Sequence, residues 1–176
     1  MFGIILSFIS ILMLYLSSNL ISALLLAATI SFYFFIYTIW LKRKTAQNIV
    51  IGGAAGALPP VIGWAVAMNN ISLEPVVMFL IIFIWTPSHF WALSLYKFKD
   101  YEKAKIPMLP ITAGIEKTKL NILVYAFLML PVVIAPFFIG FGSVIYLILS
   151  LGMTTYYIRL CFLPVSYTHL TLPTKA

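Results

Sequence analysis

Charge is what this sequence has least of. Its 176 residues include 11 Lys/Arg and 4 Asp/Glu, 9% of the chain, while 63% are hydrophobic. Soluble domains carry about a quarter charged residues, so a water-soluble globule is excluded. Cysteine is almost missing as well. Cys161 stands alone, which excludes a disulfide scaffold and leaves the redox compartment unreadable. There is no low-complexity polar tract of the kind that keeps a chain disordered. With His89 and His169 as the two histidines, no Ser-His-acid or Cys-His set suggests a protein nucleophile.

What is present is apolar length. Runs at about residues 2 to 18, 20 to 40, 49 to 68, 73 to 95, 120 to 140 and 143 to 162 each approach the roughly 20 residues that cross a bilayer as a helix. Continuous runs without alternation favour helices over a barrel, because backbone polar groups in hydrocarbon need partners within the segment. The expected fold class is all-α, one polytopic transmembrane helix bundle. Ser17-Ser18-Asn19, Asn69-Asn70 and Gly140-Phe141-Gly142 supply turn formers, so the runs pair as three tight hairpins.

The other two breaks are basic: Lys42-Arg43-Lys44, and residues 97 to 119 with Lys97, Lys99, Lys103, Lys105, Lys117 and Lys119. If all six runs cross, these segments and Arg159 share one side, which then holds ten of the eleven basic residues, with Glu74 on the other. The positive-inside rule makes the basic side cytoplasmic. The net charge of +7 therefore reads as topology and contact with membrane lipid, and no nucleic-acid partner is expected. The first run is too long for a signal peptide and lacks its positive n-region and cleavage site, so it reads as a true span. Residues 164 to 176, a Thr-rich stretch including His169 and Lys175, read as a non-native tail similar to translated adapter or vector sequence.

Three segments place polar or helix-breaking groups in or beside the bilayer. GGAAGALPPVIGW, residues 52 to 64, puts Pro59-Pro60 in mid-span, where a helix must kink or break. Its glycines suit close helix packing, including the small pair Gly52 and Gly56; a pocket wall lined by freed carbonyls is the alternative. WTPSHFWAL, residues 85 to 93, carries His89 between Trp85 and Trp91. An imidazole there either hydrogen-bonds another helix or contacts haem iron, a propionate or a diphosphate. The tryptophans are interface anchors or a flat wall for a planar ligand. YKFKDYEKAKIPMLP, residues 96 to 110, sets Asp100 and Glu102 among four lysines and closes on Ile106-Pro107-Met108-Leu109-Pro110, which suggests a segment docked on the membrane. An acid among cations suits a Mg²⁺-bound diphosphate, but a second acidic motif on a neighbouring helix would be needed and is absent from the sequence.

These segments and YTIWLKRKTAQN, residues 37 to 48, in this order and spacing, closely resemble the UbiA-type intramembrane prenyltransferases, and among them the haem O synthases. The resemblance covers residues 1 to 163 and implies a bundle of about nine helices around a cavity, of which the six runs correspond to the third through eighth. It implies that two helices are missing in front and one behind, that the first Asp-rich motif lies in the missing part, and that the chain alone is inactive. Asp100 falls at the acidic position of the second motif, with Ala104 where a second Asp would stand, a weakening common in haem O synthases. Ser88 replaces a proline of the more usual WTPPHFWAL.

The activity implied is conversion of haem B and farnesyl diphosphate into haem O and diphosphate, with Mg²⁺ as cofactor and haem A synthase as a candidate protein partner. Asp100 is then the catalytic and Mg²⁺-binding residue of a partial metal site. Lys42, Arg43, Lys97 and Lys99 are diphosphate clamps, Tyr37 and Asn48 are hydrogen-bond partners, and His89 lies on the haem side. A prenyltransferase for an aromatic quinone precursor, a transporter built on the broken helix and a purely structural subunit are the alternatives.

Overall fold

The structure, a computed structural model, describes the backbone of residues 2–166 and the side chains of residues 2–162. Most of the expected tail, with His169 and Lys175, lies outside the described residues. Nine helices account for the described chain, with no strand among them: α1 Phe2–Ser17, α2 Leu20–Leu41, α3 Asn48–Ala57, α4 Pro59–Met68, α5 Leu73–Tyr96, α6 Phe98–Lys103, α7 Leu109–Ala113, α8 Ile115–Phe138 and α9 Val144–Ser166. They form two compact units, Met1–Phe83 and Ile84–Ala176, and the boundary falls inside α5.

All six apolar runs are helical, but five are long and apolar enough to cross a membrane: α2, α3 with α4, α5, α8 and α9. The exception is α1. Its 16 residues rise about 24 Å at 1.5 Å each, short of a hydrocarbon core of about 30 Å.

In the first unit, Asn19 organises the turn between α1 and α2. Its Oδ1 accepts the Ser22 N–H at 2.9 Å as an N-cap, and its Nδ2 donates to Ala65 O on α4 at 2.7 Å. Small residues Ser22 and Ala23 on α2 and Ala65 on α4 are buried where these helices meet. Beyond Ser31 the helix widens into a π-helical segment, Phe32–Leu41, in which Lys42 N bonds Tyr37 O at 2.9 Å across five residues. Such windings are rare and usually one turn long. The segment packs on α3, where the Tyr37 ring lies over Gly52. A Cβ there would come within 3.1 Å of Tyr37 Cγ and nearer still to the ring edge.

The expected break at Pro59-Pro60 is found, and it is one residue long. Leu58 keeps near-helical angles (φ −76°, ψ −22°), and the prolines open α4, where their missing N–H groups cost no intrahelical bond. Close approach through glycine holds at Gly52 but not at Gly56 or Gly63, where an added Cβ would have nothing within 4 Å.

In the second unit, α8 and α9 form the main hairpin, with Ile122, Ala126, Met129 and Val133 as a buried stripe at helical spacing. Gly140 turns the chain at φ +77°, a value L side chains avoid, and Tyr146 Oη on α9 donates to Val133 O at 2.9 Å. The loop between α5 and α8 is structured, as its apolar closure suggested. Met108, Leu109 and Pro110 are buried, and α7 packs on α8. α8 starts at Ile115, five residues before the expected start, since Glu116 and Lys119 pair across one turn and extend it.

Candidate functional site

WTPSHFWAL forms the second-unit half of α5 and divides into two faces. Thr86, Pro87, Ser88 and Trp91, with Ser94 just beyond the motif, are buried, while Trp85, His89 and Phe90 are exposed. Trp85 and His89, one turn apart, stack with centroids 4.4 Å apart and planes 18° from parallel, and Phe90 meets the imidazole edge-on at 5.7 Å. Both contacts of His89 are ring contacts, so its nitrogens stay open to a ligand. The hydrogen bond to another helix, the alternative for this residue, is made by its neighbour instead. Ser88 Oγ lies 2.8 Å from Tyr157 Oη on α9 and donates to Trp85 O at 2.9 Å. The two tryptophans, equivalent in sequence, part company: Trp91 is 1% exposed, edge-on to Tyr125 at 5.3 Å, with no acceptor for its Nε1.

Directly after α5, Lys97 caps α6, which presents Lys99 and Asp100. Lys97 Nζ lies 3.7 Å from Asp100 Oδ2 and 5.7 Å from the centroid of the Tyr96 ring. The two side chains of the pair are 51% and 69% exposed. An ion pair this open is worth about 0–1 kcal/mol, so either partner can exchange it for a phosphate oxygen or a cation at little cost. Lys105, in the left-handed region at φ +53°, ends α6 and sends the chain into the buried Met108-Leu109-Pro110 closure. The charged helix is thereby followed directly by an apolar segment that packs on α8.

In the first unit the residues of the Tyr37 motif converge on one turn. Asn48, 1% exposed at the start of α3, donates from Nδ2 to Lys42 O at 3.1 Å, while its Oδ1 has no partner. Lys42 is half-buried, and Arg43 and Lys44 are exposed. Tyr37 sits on Gly52 below them. The Asn48 amide N–H is thus engaged in holding the basic turn, and the oxygen it leaves over is an acceptor, which does not complement an anion.

The sequence profile of the UbiA prenyltransferase family matches residues 1–169. The chain belongs to this family. Among curated proteins named protoheme IX farnesyltransferase, it is 66% identical to that of Pelagibacter ubique (strain HTCC1062) over 161 residues, 92% of this chain and 53% of the relative. It is 59% identical to that of Ehrlichia ruminantium (strain Gardel) over 134 residues, 76% of this chain and 45% of the relative. With that of Rhodopseudomonas palustris (strain BisB18) it shares 55% over 152 residues, 86% of this chain and 49% of the relative. The chain therefore spans about half the length of the curated relatives it matches. No solved structure matches it.

UbiA prenyltransferases generally use a divalent metal, commonly Mg²⁺, to bind diphosphate. The donor set here fits such an ion in part. Asp100 is one exposed carboxylate of the kind Mg²⁺ takes alongside phosphate oxygens and water, but the described residues hold no group of three or more His, Cys, Asp or Glu able to bind a metal.

Sequence reasoning about this UbiA chain missed two buried polar features. Lys119, read as one more orienting lysine, is 2% exposed and its Nζ meets Glu116 Oε1 at 2.9 Å; the signal was the Glu three residues before it. The Ser88–Tyr157 bond had no signal, because it joins residues 69 positions apart.

Proposed function

We propose that this protein is a haem O-forming farnesyltransferase. It would attach the farnesyl group of farnesyl diphosphate to a vinyl group of haem B, in a bacterial inner membrane with the basic segments on the cytoplasmic side. The carrying observation is the outward-facing Trp85–His89 stack in a chain 66% identical over 161 residues to a protein named protoheme IX farnesyltransferase. A flat aromatic pair with open imidazole nitrogens suits a porphyrin: the rings offer a face, and the nitrogen an iron ligand or a donor to a propionate.

The costly step is breaking the allylic carbon–oxygen bond, which puts negative charge on diphosphate and positive charge on a delocalised C15 group. Lys97 and Lys99 would stabilise the departing diphosphate, Lys97 by exchanging its open pair with Asp100 for a phosphate oxygen. Lys42 and Arg43 are proposed as further diphosphate contacts, with Tyr37 and Asn48 fixing the geometry of their turn. Asp100 would hold Mg²⁺, which when bound supplies additional neutralisation of the leaving group. The vinyl carbon then bonds to the allylic carbon, and the cation left beside the porphyrin ring takes up water and releases a proton, giving the hydroxyethylfarnesyl group. No protein nucleophile is required. Apolar surface around the site would delay water until the carbon–carbon bond has formed. Membrane lipid surrounds the helices, and haem A synthase is the proposed consumer of the product.

The test is to express the protein from its complete gene and supply haem B, farnesyl diphosphate and Mg²⁺. The expected product is a haem whose mass has gained one farnesyl and one hydroxyl group. Prenylation of a hydroxybenzoate, with no Soret change on adding haem B, would overturn the reading in favour of a quinone-precursor enzyme.

A further inference from the structure

Ser88 and Tyr157 make a hydrogen bond inside the second unit that joins the motif-bearing half of α5 to α9. Ser88 is fully buried at 0% exposure. Its O–H donates to Trp85 O at 2.9 Å, which leaves Oγ to accept the Tyr157 phenol proton at 2.8 Å. The serine hydroxyl thus uses both of its capacities, one along its own helix and one across to the next. Pro87, directly before it, has no N–H to give to the preceding turn. That turn of α5 therefore relies on side chains for part of its definition.

The far end of the bond is equally fixed. Thr154, Ile158 and Cys161 flank Tyr157 as the buried stripe of α9, and Tyr146 ties the same helix to α8 at Val133 O, 2.9 Å away. The geometry of α5 gives the bond its consequence. At about 100° per residue, Trp85 and His89 lie roughly 60° and 100° around the helix from Ser88, on the same side. Holding Ser88 inward against α9 turns that stacked pair outward, which is where the structure has it.

We infer that Ser88 and Tyr157 act as a positioning pair: their hydrogen bond sets the rotation of α5 about its axis, and through it the outward presentation of Trp85 and His89 to the planar tetrapyrrole. The inference rests on the proposed haem reading. Neither residue touches substrate. Their effect is on how much of the protein holds the haem-binding face in register, so it falls on haem affinity and leaves farnesyl diphosphate recognition alone.

The experiment uses the protein from its complete gene in lipid nanodiscs, with Ser88→Ala, Tyr157→Phe, the double variant and the unaltered protein. Haem B is titrated by its Soret band, and KM is measured separately for farnesyl diphosphate. Each single change is expected to weaken haem binding roughly three- to tenfold, the range of one neutral hydrogen bond. The double variant is expected to bind no more weakly than the worse single, because the two residues form one interaction, with the farnesyl diphosphate KM unchanged. Unaltered haem affinity in both singles, or a double variant equal to the product of the singles, overturns the positioning role while leaving the haem reading standing. A parallel rise in both constants overturns it too, since that is general loosening of the bundle. No Soret change in the unaltered protein overturns the haem reading itself, and this inference with it.

Discussion

Two basic segments that look alike in the sequence are built in opposite ways. Lys42-Arg43-Lys44 is tied from behind: Asn48, buried at the head of α3, bonds the Lys42 carbonyl at 3.1 Å, and Tyr37 rests on Gly52 beneath the turn. Lys99 and Asp100 stand on a six-residue helix capped by Lys97, and the Lys97–Asp100 ion pair, at 3.7 Å, is open to solvent on both sides. The first segment has its backbone fixed by a buried amide, so its charges emerge from a rigid root. The second is followed by the buried Met108-Leu109-Pro110 segment, and its charges are free to re-pair. A ligand would find the first already arranged and would arrange the second itself.

That contrast can be broken from either end. The largest expected effect comes from Asp100→Asn, which keeps the shape and removes the charge. Haem O formation by the full-length protein should fall about a hundredfold, the scale of losing one electrostatic contact in a transition state. Thermal stability followed by circular dichroism should stay within about 0.5 kcal/mol, since the side chain is exposed. Loss of stability without loss of turnover would show the α6 charges to be structural.

Gly52→Ala should act in the reverse sense. Its methyl collides with the Tyr37 ring, and overpacking of this kind costs about 1–3 kcal/mol, read as a lower midpoint in detergent unfolding. Tyr37→Leu in the same background should recover part of it, because the aliphatic chain can move aside. Asn48→Ala follows, at about 1–2 kcal/mol, the net value of the lost bond plus an unsatisfied Lys42 carbonyl. If the basic turn is held mainly by Asn48, protease cleavage at Arg43 and Lys44 should quicken in that variant and not in Gly52→Ala.

Lys97→Gln is the smallest. Removing an open ion pair should change stability by under about 1 kcal/mol. The farnesyl diphosphate KM should rise and grow less sensitive to salt, as expected when one exposed charge stops contributing to anion attraction. A salt response unchanged from the parent would remove Lys97 from the diphosphate contacts.

Much of this was legible in the residues themselves. The helices lie where the apolar runs lie, the hairpin turns fall at Ser18-Asn19 and Gly140-Phe141-Gly142, and α4 begins at the proline pair, because each depends on neighbours a few positions away. The misjudged points share a different cause. The parting of Trp85 from Trp91, the open space at Gly56 and the burial of Lys119 all depend on which face a helix turns to its neighbour, and weak amphipathicity in an apolar chain leaves that face unmarked. Among the candidate residues, the order YTIWLKRK, then Pro59-Pro60, then WTPSHFWAL was enough to point to the family. It could not tell that the Asn48 amide is turned to the Lys42 backbone, or that the His89 ring is paired with Trp85 by stacking.

Sequence alone therefore determined the all-helical membrane class and the order of the spans. Apolar length and helix periodicity are local, and the scarcity of charge leaves few ways to set them. Tertiary structure alone decided which of those residues are held and which are free. Burial, the Ser88–Tyr157 bond and the Tyr37–Gly52 contact join positions distant in the chain, and such pairings exist only once the helices have packed.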